Sequence, residues 1–215
     1  MAAAGNAPYA ALPFMQEATT HRERLVAGMV AAVAQRGYAA TTITDVVANA
    51  RVSRRTFYEH FADKEACFLA AYEAVSDAML AAIADATAQA GGWEERIVSG
   101  IHAYLRALAD EPAIARVFIV DILSAGPAAL ARRRAVLRRF TTHVREQVEA
   151  ARAAGVPVRP LGEPAALALV GGIHESVLAA LEERTGDDAR AALLALEDDL
   201  GAVLTAVLLP DDRRP

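Results

Sequence analysis

The 215-residue chain has a single cysteine, Cys67, so no disulfide can close within it and cross-linked secreted scaffolds are excluded. Long apolar runs are lacking too. The charge-free stretches near 164–173 and 200–210 fall short of the about 20 residues that a bilayer-spanning helix needs. The start of the chain lacks the basic-then-apolar layout of a secretory signal. Together these absences point to the cytoplasm. No alternating strand pattern and no internal repeat is present. Without strands, no glycine-rich phosphate loop can follow one, and no HExxH-type pair marks a zinc helix. What fills the chain is alanine, the best helix former, among frequent charges, and the expected fold class is all-α.

The net charge of −5 argues at first against nucleic acid, but the charge is unevenly spread. Between His21 and Lys64 seven basic residues face four acidic ones. A modestly basic head therefore sits on an acidic body.

Residues 1–18 show no period and read as a disordered tail, as do 210–215 at the other end. A helix starts near Thr20, with Leu25, Val26, Met29, Val30 and Val33 on one stripe, and Gly37 ends it. Thr44 is the expected cap of a short helix over 45–50 and Ser53 that of another reaching about His60 or Phe61. Asp63 caps a long one from Lys64. Further helices are expected over about 93–109, 112–124, 128–154 and 164–184, with a last one from Asp187 or Asp188 to about Leu209.

Helices two and three, joined through Arg51 and Val52, form a candidate helix-turn-helix. On the third helix Ser53, Phe57 and Phe61 share one face, and the two rings can anchor it. Arg54, Arg55 and Thr56 lie toward the exposed N-terminal end, where a short rigid helix meets base edges in a major groove. Arginine can grip guanine O6 and N7 with two bonds, discriminating by about 1–3 kcal/mol. Hydroxyls and cations on the flanks (Thr42, Thr44, Tyr58, His60 and Lys64) have the chemistry for phosphates, which set register. Two short helices with a solvated arginine face would fit any one of these residues equally well.

The string as a whole is more specific. TTITDVVANARVSRRTFYEHFADKEACFLAAY closely resembles the N-terminal domain of the tetracycline-repressor (TetR) family. The matched features are the Thr-Thr-Ile before the second helix, Val52-Ser53, Thr56-Phe57-Tyr58, His60-Phe61 and Lys64-Glu65, within about Thr20 to Tyr72. The resemblance implies base contacts by Arg54, Arg55 and Thr56 and phosphate contacts by Thr42, Tyr58, His60 and Lys64. It also implies a three-helix head over 19–63, and a helical ligand-binding and dimerisation domain over 64–209, about nine helices in all. The implied function is a ligand-responsive transcription regulator. It would be a homodimer, with a repressor released from a palindromic DNA operator when a small-molecule effector binds as the family's usual mode. No cofactor or metal is implied. One departure is Arg51, where the family usually has glycine. A left-handed residue there costs a non-glycine about 1 kcal/mol or more.

The body has to be read physically. Leu167, Val170, Gly171, His174, Val177 and Leu181 form one seam, and Leu193, Leu196, Leu200, Val203 and Val207 another, at helical spacing. Such seams fit an intramolecular core as well as a dimer. The resemblance favours the dimer, because the family builds it from its last two helices. Gly171, Gly172 and Gly201 would permit close approach. Candidate pocket residues are Trp93, His102, Tyr104, Phe118, Phe140, His143 and His174, each of which also fits ordinary core. A buried His174 needs a partner, either a ligand or a hydrogen bond across the dimer. The basic run Arg132, Arg133, Arg134, Arg138 and Arg139 reads as a solvated face or as the entrance for an anionic ligand.

Two other classes compete. The body histidines with Asp121 could hold a metal in an enzyme, but their spacing is not that of a zinc helix. A helical interaction protein without DNA binding is the third. The expectation is a regulator, not an enzyme, with no membrane partner.

Overall fold

The computed structural model describes residues 13–209, whose regular elements are all helices, with no strand among them. Of the segment expected as a tail, residues 1–12 lie outside the described part, and Pro13–Gln16 forms one helical turn, α1. Helix α2, His21–Ala40, is opened by a reciprocal cap in which Thr20 accepts from Glu23 N–H and Glu23 accepts from Thr20 N–H. Its stripe Leu25, Val26, Met29, Val30 and Val33 is buried, as its period predicts. Gly37 does interrupt it, at φ 73° and ψ 164°, though helical turns resume to Ala40.

Helix α3, Ile43–Ala50, is capped by Thr42 and not by Thr44 as expected. The two threonines compete for the cap. Thr42 wins because Asp45 stands three residues on and can accept its backbone N–H, closing the reciprocal box at 2.9 Å. Helix α4, Arg54–His60, is capped by Ser53, and α5, Lys64–Gln89, by Asp63, which accepts from Ala66 N–H at 2.7 Å.

The body comprises α6 (Trp93–Asp110), α7 (Pro112–Ile119), a 3-10 turn (Asp121–Ser124), α8 (Pro127–Ala153), α9 (Glu163–Glu182), α10 (Gly186–Leu194) and α11 (Glu197–Leu208). The single last helix expected from the sequence is thus divided at Ala195 and Leu196. The division splits the second seam. Leu193 and Leu200 turn inward and are buried, whereas Val203 and Val207 face outward. The first seam divides likewise, with Val170, His174, Val177 and Leu181 buried and Leu167 exposed. Helices α5 and α9 are long and apolar enough to cross a membrane by length and composition. Here both pack their apolar sides into the protein, α5 through Phe68, Tyr72 and Val75 and α9 through Val177 and Leu181.

Two apolar cores result. One joins α9, α10 and α11 to α6 around Leu105, Leu181 and Leu193. The other is the core of the head, and it extends into the body, taking in Ile114, Val117 and Phe118 of α7, Ile122, and Val136 of α8. The head is therefore fused to α7 and the start of α8, not tethered by α5 alone.

Candidate nucleic-acid interface and effector cavity

Helix α4 stands on two rings. Phe57 is fully buried and Phe61 nearly so, their centroids 5.9 Å apart. That anchoring leaves Arg54 and Arg55 in solvent, Arg55 with its side chain 90% exposed and only a 3.2 Å contact to Glu59. An exposed i,i+4 pair of this kind is worth about 0.3–0.5 kcal/mol, so it yields readily to a stronger acceptor. Thr56 is partly buried and its hydroxyl lies 2.9 Å from that of Ser53. Of the three residues expected to face bases, the two arginines are presented freely and Thr56 is partly engaged by its own helix cap.

The phosphate candidates divide in the same way. Thr44, Tyr58 and His60 are exposed. Thr42 is exposed too, but its hydroxyl donates to Asp45 at 2.7 Å and its backbone N–H is held by the same carboxylate. These bonds hold the Asp45 carboxyl below the usual carboxylate range. Lys64 differs most from expectation. Its Nζ donates to the carbonyls of Tyr38 and Thr41 at 2.9 and 3.0 Å and lies 4.3 Å from the Tyr38 ring centroid. Two of its three donors thus secure the C-terminal end of α2.

The turn between α3 and α4 is left-handed at Arg51, with φ 52° and ψ 47°, as the departure from glycine implies. Arg24 of α2, which the sequence did not single out, clamps this turn. It donates to the Ala50 carbonyl at 3.1 and 2.8 Å and to the Arg51 carbonyl at 2.7 Å. Its position three residues from Ala27, on the polar side of the α2 stripe, held no signal for a partner 26 residues away.

In the body, a cavity of about 190 Å³ lies between α5, α6, α7, α8 and α9, with Leu204 and Leu208 of α11 also in its lining. Six of the seven expected pocket residues meet there: Trp93, Tyr104, Phe118, Phe140, His143 and His174. His102 is not among the lining residues. The sequence reading missed the wall that α5 supplies, including Tyr72, Ser76 and Thr87. Tyr72 and Ser76, polar atoms four residues apart inside an apolar stripe, were the available signal.

The lining is mostly apolar, and three of its ring nitrogens lack partners. Trp93 Nε1, His143 Nε2 and His174 Nε2 are buried without hydrogen bonds. Burial pushes the His174 imidazole down to about 4, helped by the positive charge of Arg133, so this ring is neutral at pH 7. Burial also raises the Tyr72 phenol to about 12 and the Tyr104 phenol further, and Arg133 opposes both shifts.

Head and cavity share residues. Phe118, on the cavity wall, stacks on Phe68 at 5.6 Å and 9° and tilts against Tyr72 at 5.7 Å. Phe68 in turn packs on Tyr38 at 4.2 Å, next to the Lys64 clamp. Asp121, just after α7, accepts from Tyr38 N–H at 3.5 Å.

A helix-turn-helix head with solvent-exposed arginines on its second helix, fused to an all-helical body with an apolar cavity, is the architecture of a DNA-binding regulator. Residues 26–71, within the head, match the model of the family described as bacterial regulatory proteins, tetR family. Among curated proteins no sequence relative matches. Solved structures share the fold over most of the chain. The fatty acid degradation regulator FadR from Bacillus halodurans is 17% identical, with TM-score 0.72 over 86% of this chain and 95% of its own. A tetR-family regulatory protein from Rhodococcus RHA1 is 25% identical, with TM-score 0.58 over 86% and 97%. FadR from Bacillus subtilis, solved in complex with stearoyl-CoA, is 15% identical, with TM-score 0.68 over 84% and 96%.

Proposed function

We propose that this chain is a ligand-responsive DNA-binding transcription regulator, working in the cytoplasm as a homodimeric repressor that leaves its palindromic operator when a small molecule occupies the body. The observation that carries this reading is the position of Phe118, whose ring belongs both to the cavity wall and to the core of the DNA-binding head. A molecule seated against Phe118 and Tyr72 presses on the same α5 residues that support Phe68 and Tyr38. A shift of α5 then changes how the two heads of a dimer are spaced, and half-sites one helical turn apart, about 34–36 Å, tolerate little change. To switch cleanly the effector must favour one state by several kcal/mol.

In the head, Arg54 and Arg55 read bases, with Thr56 beside them. Thr42, Thr44, Tyr58 and His60 hold phosphates, and Lys64 contributes its remaining donor. The cavity takes an effector that is mostly apolar. FadR of Bacillus subtilis, which shares the fold, was solved in complex with stearoyl-CoA, whose acyl chain is apolar in the same way. No reaction chemistry is needed for any of this.

The test is a mobility shift on DNA upstream of the protein's own coding region. Binding should fall steeply with salt, because phosphate contacts release counterions. Arg55→Ala should weaken specific binding by about 1–3 kcal/mol, roughly ten- to a hundredfold, and relax one operator position. Absence of salt-sensitive DNA binding would overturn the function.

A further inference from the structure

Beside the cavity, on α8, stands a cationic side chain with no carboxylate against it among the described residues, Arg133. Arg133 is one of five arginines on the first half of α8, and the other members of the run are accounted for. Arg132 pairs with Glu73 and Arg139 with Asp77, both on α5, and Arg134 and Arg138 are exposed. Arg133 precedes the cavity-lining Val136 and Leu137 by three and four residues, which puts it on the same face of α8, one turn nearer the head. It is only partly exposed, and its Nε is buried without a hydrogen-bond partner. Its charge acts on Tyr72, Tyr104 and His174, three residues that all line the cavity. His174 is 5% exposed and its Nε2 is unpartnered.

A partly desolvated guanidinium is costly unless an anion faces it, and a guanidinium fork suits a carboxylate best. Among the described residues no carboxylate pairs with Arg133. Glu111, the acid on the cavity wall, is raised by its own burial and by Asp110, not lowered by any arginine. The rest of the cavity is apolar and long. Its lining runs from Tyr72 to Thr87 along α5, about 22 Å at 1.5 Å per residue, and from Val136 to Val148 along α8, about 18 Å.

We infer that the cavity binds an elongated aliphatic carboxylate, its charged end held by Arg133 and His174 beside the hydroxyls of Tyr72 and Tyr104 and its chain lying along α5 and α8. The inference builds on the effector-binding reading above and adds to it the class of molecule and its orientation. A carboxylate at this end lies next to Phe118 and Tyr72, the residues shared with the head.

Trp93, the one tryptophan of the chain, lines the cavity, so its fluorescence reports occupancy. Laurate, lauryl alcohol, laurylamine and lauroyl-CoA are titrated against the full chain, the wild type first. Laurate should bind about tenfold or more tighter than the alcohol, the size of one charge-assisted contact, and laurylamine weakest. Arg133→Met should abolish the preference for laurate over the alcohol while leaving alcohol binding intact, which also shows that the variant is folded. Arg133→Lys should keep much of the preference. Arg96→Met, at the exposed opposite end of the cavity, should leave it unchanged.

Equal binding of laurate and alcohol overturns the inference, as does a preference lost with Arg96→Met but not with Arg133→Met. No binding of any probe overturns it too, and so does tight binding of lauroyl-CoA with laurate bound no better than the alcohol. DNA binding is read separately, by mobility shift with and without laurate. If laurate binds as expected but leaves the DNA complex unchanged, the site stands and the switch falls.

Discussion

His174 sits 5% exposed in the cavity wall with its ring held neutral by burial, and the consequence is a pH-dependent stability. The ordinary value of 6.5 applies in the unfolded chain and about 4 in the native one. Above pH 6.5 both states are neutral at this site and nothing is lost. As pH falls below 6.5 the unfolded chain takes up a proton that the native ring refuses, so stability declines until the native ring itself protonates near 4. The full loss is about 3 kcal/mol. Urea unfolding across that window should show a shallower decline for His174→Gln than for the wild type, because the carboxylates common to both cancel in the comparison. Identical slopes would mean that the imidazole titrates as if in water. Residue identity alone made His174 a candidate, since it interrupts an apolar seam. Arg133 was legible only as one of five arginines. Which of them turns inward depends on the acids that α5 offers the others, Glu73 and Asp77, and that pairing exists only in three dimensions. Arg51 is the reverse case. Its left-handed conformation follows from the family pattern, but the Arg24 clamp that holds it does not.

At the scale of elements, the contact between α2 and α3 is the tightest constraint in the head. A Cβ added at Gly28 would meet Val46 O at 2.7 Å, Ala50 N at 2.8 Å and Ala50 Cβ at 2.9 Å. The first two are backbone atoms of a packed helix and cannot step aside. Gly28→Ala should therefore force the helices apart and cost about 1–3 kcal/mol, despite the better helix propensity of alanine. Hydrogen exchange is the suitable readout: α3 and α4 should lose protection while α9 and α10 keep theirs. Unchanged protection in the head would show that the two helices approach less closely. Caps were legible where one residue had one role, as with Ser53 and Asp63, whereas Gly37 interrupts α2 without ending it. The start of α3 was misread because two threonines could cap it and Asp45 chose between them. The division between α10 and α11 was not legible, since Ala195 and Leu196 keep helical backbone angles and no glycine or proline marks the break.

For the whole molecule, the two seams read from the sequence separate into an inner and an outer set. Val177, Leu181 and Leu193 are fully buried within one chain and leave no surface for a partner. Periodicity alone could not tell these from an interface, because both bury apolar stripes. The outer set is Leu167, Val203 and Val207, exposed by 47%, 48% and 38%. Around them a Cβ at Gly171 or Gly172 would meet open space within the chain, so these glycines are not used for internal packing. A stripe of large exposed apolar residues beside small ones is what a second copy of the chain can cover. If it does, Val203→Glu with Val207→Glu should yield a monomer by light scattering, with thermal stability of the body largely kept because neither side chain is in a core. Two linked heads bind through a high effective concentration, so operator affinity should fall by about a hundredfold or more when they part. A double variant that stays dimeric would move the interface away from α11. One that becomes monomeric yet binds its operator undiminished would mean that a single head suffices, and the change in head spacing proposed as the switch could not operate.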